Sequence, residues 1–152
     1  MRKRFLIPCV LLLSLDAFAC YYTSQSKAEK VASAEKVFLG SLEKAELHGD
    51  GPLDRLKLTF IVEESFKGNV GEREVVYSGL GGGDCGIGAA GFHSSMLIFT
   101  DAKARTGTYN GSFSMVPELT GSDEWEYVND ELEWLQFLRR YKSSNKASHG
   151  DR

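Results

Sequence analysis

The sequence predicts a small, mainly β domain, a barrel or sandwich of five short strands with flanking helices. Two observations carry this prediction. From Leu56 to Val62 every second residue is apolar, which is the period of a half-buried strand. Four other short apolar or alternating segments are separated by turn and loop residues, a pattern typical of small β-barrels and sandwiches.

The first 19 residues are predicted to be an export signal. Three basic residues at positions 2–4 precede an apolar run from Phe5 to Leu15, and Ala17-Phe18-Ala19 supplies the small residues at which such signals are cleaved. The run has about half of the roughly 20 residues that a membrane-spanning helix needs. We therefore expect a periplasmic, secreted or envelope-associated protein whose mature chain begins at Cys20 and has the length of one domain.

Charge argues against several classes of partner. The chain has 18 Lys and Arg against 21 Asp and Glu, a formal net charge of −3 at pH 7. Removal of the basic signal makes the mature protein more acidic still. Nucleic acids and anionic membrane surfaces attract basic proteins, so we expect no nucleic acid partner, and no membrane partner unless Cys20 is lipidated.

The cysteine count predicts one disulfide. Cys9 leaves with the signal, so the mature chain keeps Cys20 and Cys85. An even pair of cysteines in an exported protein favours a bridge between them. Closing a loop of this length would stabilise the domain by about 4 kcal/mol and would hold the new N-terminus against the middle of the chain.

The first elements are a short helix and a β-hairpin. Ser26-Lys27-Ala28-Glu29 matches a capping box, which predicts a helix from about Ser26 to Ser33. The first strand begins at Val37 and runs towards Leu47, where the turn residues 48–52 end it. The alternating segment described above forms the second strand, and Phe66-Lys67-Gly68-Asn69 ends that strand.

Three more strands complete the predicted set. Glu74 to Ser78 forms the third strand, and Met96 to Phe99 forms the fourth. Between them lies the glycine-rich segment 79–91, which contains Cys85. Apolar and polar residues alternate from Tyr109 to Met115, which predicts the fifth strand.

An amphipathic helix is predicted from about Asp123 to Tyr141. Acidic residues in its first turns and basic residues at its end complement the helix dipole. Its acidic side chains are spread around the helix, which indicates a solvated face rather than a cation site. The core-facing stripe comprises Trp125, Val128, Leu132, Leu135 and Leu138, widened by Trp134, Phe137 and Tyr141. The domain thus covers residues 20–142, and the polar tail 143–152 is predicted to be disordered.

No motif in the sequence favours an enzyme. Gly86 to Gly91 matches a dinucleotide-binding pattern, but that chemistry needs a helix after the glycines and here a strand is predicted, so a flexible loop around a disulfide is favoured. The three histidines have no metal-ligand spacing. A nucleophilic pair of Cys85 and His93 is less favoured than a structural disulfide. We expect no catalytic residue, no cofactor and no metal of its own.

Six features in a fixed order carry a family resemblance. They are Cys20 at the mature N-terminus, Val37-Phe38-Leu39-Gly40, Phe66-Lys67-Gly68, Val75-Val76-Tyr77, Cys85-Gly86 and Met96-Leu97-Ile98-Phe99. At these spacings the set resembles the netrin-like domain of tissue inhibitors of metalloproteinases. The similarity covers about Cys20 to Met115.

The resemblance implies a fold and a mode of action. The fold is a closed five-stranded OB-type barrel with flanking helices, in which Cys20 is disulfide-bonded to Cys85. The α-amine and carbonyl of Cys20 would chelate the zinc of a metalloprotease, and Tyr21 would enter its specificity pocket. An amine and a carbonyl oxygen can take a zinc position otherwise held by water, and an α-amino pKa of about 7.7 to 8.0 leaves a neutral fraction near pH 7. We expect a monomeric metalloendopeptidase inhibitor.

The sequence also departs from the family pattern. The family begins with Cys-x-Cys and has a further cysteine late in the barrel, whereas here the third mature residue is Tyr22 and no cysteine follows Cys85. Tyr21 is bulky where the family has a small residue. These departures keep a second function open, a non-inhibitory envelope or secreted interaction domain.

One form of that alternative makes Cys20 the lipidated cysteine of a bacterial lipoprotein. Lipidation would use the Cys20 sulfur and leave Cys85 unpaired. Lipoprotein signals usually carry a branched aliphatic residue three places before the cysteine, whereas this chain has Ala17 there and the bulky Phe18 next to it. Ordinary signal cleavage tolerates both residues better, so the disulfide is favoured over the lipid.

Overall fold

Five antiparallel strands form the body of the molecule in a computed structural model that describes residues 25–88, 94–115, 117–119, 125–127 and 129–149. The strands are β1 (Lys36–Leu47), β2 (Leu56–Lys67), β3 (Arg73–Ser78), β4 (Ser95–Thr100) and β5 (Phe113–Met115). They are ordered β3-β2-β1-β4-β5, and every neighbouring pair is antiparallel. The predicted mainly β class is confirmed.

Strand β1 lies at the centre of the sheet, and its ladder with β2 is irregular. It pairs with β2 from Leu47 opposite Leu56 to Val37 opposite Lys67, as the predicted hairpin requires. The ladder has three register shifts, and such irregularities bend a strand. One of them falls at Gly40, where an added Cβ would lie 2.6 Å from the Ile61 carbonyl oxygen of β2. The close approach of the two backbones at this position therefore requires a glycine.

Each face of the sheet carries a buried apolar cluster. The helix-side cluster comprises Val31, Ala34, Val37, Leu39, Phe66, Leu97, Phe99, Met115, Leu135 and Leu138. The loop-side cluster comprises Phe38, Leu42, Leu56, Leu58, Phe60, Val76, Ile87, Met96 and Ile98. Successive residues of Val37-Phe38-Leu39 in β1 and of Met96-Leu97-Ile98-Phe99 in β4 belong to opposite clusters, which explains why these two stretches are continuously apolar rather than alternating.

The sheet is open at its two edges, β3 and β5. Among the described residues its ladders do not close into a barrel. One isolated parallel bridge pairs Tyr77 of β3 with Arg105, which precedes β5. In it the Tyr77 N–H donates to the Ala104 carbonyl at 2.9 Å, and the Thr106 N–H donates to the Tyr77 carbonyl at 2.8 Å. The strand pairing thus shows an antiparallel sheet, and it does not show the closed barrel that the family resemblance implies.

Helix α1 spans Lys27–Ser33 and begins with the predicted capping box. The Ser26 hydroxyl accepts the Glu29 N–H at 3.3 Å, and the Ser26 N–H donates to the Glu29 carboxylate at 2.8 Å. The prediction of a short helix at this place is confirmed.

The fifth strand is shorter than predicted. Alternation predicts a strand from Tyr109, but β5 begins at Phe113 and a 3₁₀ turn covers Thr108–Asn110. The Asn110 side-chain amide donates to the Phe99 carbonyl at 2.7 Å, an alternative to a strand ladder that short polar side chains often offer. Alternating polarity here therefore reflects a turn followed by a strand.

The C-terminal helix α2 spans Asn129–His149. The predicted start near Asp123 is wrong, because two short strands, β6 (Pro117–Leu119) and β7 (Trp125–Tyr127), form an antiparallel hairpin ahead of the helix. Aromatic residues fit strands as well as helices, and they make up much of β7.

Helix α2 also continues beyond Tyr141, through most of the segment 143–152 that is predicted to be disordered. No glycine or proline interrupts the chain between Asn129 and His149. An established helix extends by one hydrogen bond for each residue added, so a polar end can continue it.

The buried face of α2 differs from the predicted stripe. Leu135 and Leu138 are buried as predicted, whereas Leu132 is 42% exposed. Trp134, Phe137 and Tyr141 pack against the helix-side cluster and so serve as core. The side chains of Trp125 and Val128 lie outside the described part of the molecule. Within that part, no helix has the length and apolar character to cross a membrane.

Candidate functional site

Cys85 lies in the loop that follows β3, and it is disulfide-bonded. Its thiol is therefore not free to act as a nucleophile, and the rejected pairing with His93 has no support from this residue. The other two cysteines, Cys9 and Cys20, lie outside the described residues, and so does Tyr21. The Cys20–Cys85 pairing and the roles of Cys20 and Tyr21 therefore stay predictions.

The carboxylate of Asp84 organises the loop around Cys85. It accepts backbone N–H groups from Leu80 at 2.7 Å, Gly81 at 2.9 Å and Gly86 at 3.0 Å. Burial acts to raise the pKa of Asp84, but these three donors, together with the charge of Arg55, outweigh burial and hold the pKa below its usual value. The ionised carboxylate thus holds the loop in one conformation.

Glycines allow this loop to pack closely against its surroundings. A Cβ on Gly79 would lie 2.5 Å from both the Asp84 carboxyl carbon and the Pro52 carbonyl oxygen, and one on Gly86 would collide with Gly79. The predicted glycine-rich segment is thus a packed support for Cys85 up to Gly88, and residues 89–93 lie outside the described part.

The backbone of Cys85 is held on both sides. Its φ of 60° is left-handed, a conformation that non-glycine residues adopt infrequently. Its N–H donates to the Gly82 carbonyl at 3.3 Å, and its carbonyl accepts the Thr108 N–H at 2.9 Å. The Thr108 hydroxyl donates to the same carbonyl at 3.3 Å. These bonds join Cys85 to the segment that leads into β5.

Three buried hydroxyls connect the loop to both edges of the sheet. The Ser78 hydroxyl donates to the Thr106 carbonyl and accepts the Ile87 N–H, each at 2.9 Å. The hydroxyls of Thr106 and Ser112 lie 2.7 Å apart. Nothing in the sequence indicates these roles, because isolated Ser and Thr residues between apolar segments are typical of solvent-facing positions.

An apolar cleft opens beside Cys85. It has a volume of about 470 Å³, its surface is almost entirely apolar, and it is lined by Pro52, Leu53, Gly83, Asp84, Cys85 and Tyr109. Pro52 and Leu53 come from the turn between β1 and β2, where the Gly49 N–H donates to the Asp54 carbonyl at 3.0 Å. Three segments distant in sequence, this turn, the Cys85 loop and the turn that contains Tyr109, thus form the walls of the cleft.

Tyr109 forms one wall of this cleft. Its ring packs on Gly107, where an added Cβ would lie 2.6 Å from the ring. The hydroxyl oxygen is buried and has no hydrogen-bond partner among the described residues. Burial raises the pKa of Tyr109, and the charge of Asp101 adds to that effect while the charge of Arg105 opposes it.

The remaining sequence candidates do not come together as a site. His48 lies over the Tyr77 ring with centroids 4.9 Å apart, while His93 and the His149 side chain lie outside the described part. Within the described ranges, no group of three or more His, Cys, Asp or Glu residues is placed to hold a metal ion. The Cys85 loop and its cleft are therefore the candidate site.

Comparison with protein-family profiles, with curated proteins and with solved structures gave no significant match.

Proposed function

We propose that this protein is an exported inhibitor of a zinc metalloendopeptidase, which acts through the N-terminal Cys20 of its mature chain. The observation that carries the proposal is the disulfide of Cys85 in a loop whose backbone is hydrogen-bonded to the Asp84 carboxylate and to Thr108. A bridge from Cys20 to this support would present the new N-terminus on a rigid part of the molecule.

The rigid support matters because of the cost of binding. A free N-terminus loses conformational freedom when it binds, and prior ordering reduces that loss. With Cys20 fixed, its neutral α-amine and carbonyl oxygen would coordinate the protease zinc in place of water. Tyr21 would then enter the pocket beside the zinc.

We also propose that the sheet is a five-stranded OB-type barrel of the netrin-like kind. The parallel bridge at Tyr77 and Arg105 supports closure, because it joins β3 to the chain that leads into β5. The Ser78 and Thr106 contact supports it at the neighbouring position.

Mass spectrometry of the natively exported protein tests the chemistry of the N-terminus. We expect a chain that begins at Cys20, has no reactive thiol and is lighter than its reduced form by the mass of two hydrogen atoms. Peptide mapping should show Cys20 linked to Cys85. Added acyl mass with a free Cys85 would contradict the inhibitor and support the lipoprotein alternative.

Inhibition itself is tested by titrating the oxidised protein into a panel of zinc endopeptidases. A matched variant carries one extra alanine before Cys20, which moves the α-amine away from the zinc and leaves the disulfide in place. We expect the extension to weaken inhibition by more than about 100-fold, since even outer-shell changes at zinc sites cost about 10- to 100-fold. Equal inhibition by both forms would contradict zinc chelation by Cys20. Inhibition by neither form would contradict the inhibitor and support the alternative function, a non-inhibitory interaction domain.

A further inference from the structure

The turn that leads into β5 contains an asparagine followed by a glycine, Asn110-Gly111. In such a pair the backbone nitrogen of the glycine can attack the Cγ of the asparagine, because glycine has no Cβ to hinder the approach. A new N–Cγ bond forms, the Cγ–Nδ2 bond breaks, and ammonia leaves with the proton that the backbone nitrogen has lost through solvent. Water then opens the resulting succinimide ring to give aspartate or isoaspartate. The other asparagines precede larger residues; they are Asn69, Asn129 and Asn145.

In the folded turn, hydrogen bonds hold the Asn110 side chain at both ends. Its amide nitrogen donates to the Phe99 carbonyl at 2.7 Å and to the Arg105 carbonyl at 3.3 Å. Its amide oxygen accepts the Gly107 N–H at 3.2 Å and the Ser112 hydroxyl at 3.1 Å. The Cγ atom is therefore not free to turn towards the nitrogen of the next residue.

The attacking nitrogen of Gly111 is held as well. Gly111 is buried, and its N–H donates to the Thr108 carbonyl at 3.2 Å. A solvent base does not reach this proton while the residue is buried and the hydrogen bond is formed. The reaction therefore needs the turn to open, and local opening of a folded protein has a free-energy cost of its own. The fold thus suppresses a reaction that the sequence favours.

Neither product fits the folded turn. In aspartate, a carboxylate oxygen replaces the amide nitrogen of Asn110 and faces the carbonyls of Phe99 and Arg105, so two acceptors lose their donor and are repelled. In isoaspartate, the main chain runs through the former side chain and is one atom longer. We propose that Asn110 is a site of spontaneous deamidation, which the fold suppresses and which, once modified, irreversibly loosens the turn into β5.

Loosening this turn affects the loop that carries Cys85. Thr108 lies in the same turn, and its N–H and its hydroxyl donate to the Cys85 carbonyl at 2.9 Å and 3.3 Å. Deamidation of Asn110 thus removes one support of the candidate site. The frequency with which the turn opens then limits the lifetime of that site, whether or not the protein inhibits a protease.

Peptide mass spectrometry tests the modification site during incubation of the oxidised protein at neutral pH. In guanidinium chloride, we expect Asn110 to be converted faster than Asn69, Asn129 and Asn145. In the folded protein, we expect conversion at Asn110 to be at least about 30-fold slower than in the denaturant, because the turn must open first. Equal rates in the two conditions would overturn the protection. Absence of conversion at Asn110 in the denaturant would overturn the site.

The substitution Asn110→Asp tests the consequence of the reaction. Asn69→Asp is the matched control, because Asn69 is exposed. We expect Asn110→Asp to lower the melting temperature by about 5 °C or more and to speed amide exchange at Thr108, and the control to change neither. Unchanged exchange at Thr108 in Asn110→Asp would overturn the loosening of the turn. The comparison of deamidation rates does not depend on whether Asn110→Asp folds.

Discussion

At the scale of single residues, Asp84 does most to shape the candidate site. Its carboxylate accepts three backbone N–H groups within the loop that carries Cys85. Left-handed backbone at Gly81, Gly82 and Cys85 accompanies these bonds. Glycine adopts positive φ readily, so the hydrogen bonds of Asp84 offset a conformational cost that falls mainly on Cys85.

The substitution Asp84→Asn tests this role. The amide keeps the size of the side chain but loses the charge, so we expect the free energy of unfolding to fall by about 1–2 kcal/mol at pH 7 in urea titrations. Asp50→Asn is the matched control, because Asp50 is exposed in the nearby turn. Equal midpoints for the two variants would contradict the role.

The stability difference between the unmodified protein and Asp84→Asn should also depend on pH. The folded pKa of Asp84 lies below its ordinary value of 3.8. A lowered pKa contributes stability that is present above the unfolded pKa and is lost as the pH falls towards the folded pKa. The difference between the unmodified protein and Asp84→Asn should therefore shrink below about pH 4.

At the scale of elements, helix α1 depends on contacts from outside itself. A helix of seven residues is too short to persist alone in water. Lys67 of β2 donates to the carbonyls of Val31 and Ala32, both at 2.9 Å, and of Ala34 at 2.6 Å. This ammonium pairs the last carbonyls of the helix and opposes the negative end of its dipole.

Removing this contact should release the helix selectively. We expect Lys67→Met to lower the free energy of unfolding by about 2 kcal/mol and to speed amide exchange at Lys30 and Ala34, with α2 unaffected. Lys57→Met on the same strand is the control, because Lys57 is far from these carbonyls in the β2 ladder. Unchanged exchange at Lys30 and Ala34 would show that other contacts hold α1.

At the scale of the whole molecule, stability depends on joining the edges of an open sheet. Thr106 and Ser112 lie between β4 and β5 and are buried. The Ser112 hydroxyl accepts the Phe99 N–H at 2.8 Å, in the middle of the core. The same buried hydroxyl contacts Thr106, which follows the bridge to β3, so a small network couples both edges.

Deleting this hydroxyl should weaken the molecule as a unit. Ser112→Ala leaves the buried Phe99 N–H without its partner, so we expect a loss of about 2 kcal/mol in one cooperative unfolding transition. Ser114→Ala in β5 is the control, because Ser114 is only half-buried. A local loss confined to β5 by amide exchange would contradict coupling across the sheet.

The sequence by itself determined the elements whose signals are local. Ser26 and Glu29, three residues apart, form the two hydrogen bonds of the capping box. Apolar and polar residues alternate in β2 because one face of its first half packs against the loop-side cluster. The short predicted strands and the turn residues between them then predicted a mainly β domain. By contrast, the predicted fifth strand was correct only from Phe113, and the predicted start of the C-terminal helix was wrong, because polar alternation and aromatic residues fit more than one element.

Only the tertiary structure decided the candidate site. The cysteine count predicted that Cys85 is a disulfide cysteine, but the sequence indicated neither the carboxylate that holds the loop nor the buried hydroxyls behind it. The cleft is formed by Pro52 and Leu53 from one turn and Tyr109 from another. The reason is physical: local hydrogen bonds and periodicity depend on neighbours in sequence, whereas a cleft depends on surfaces that meet only when the sheet brings its loops together.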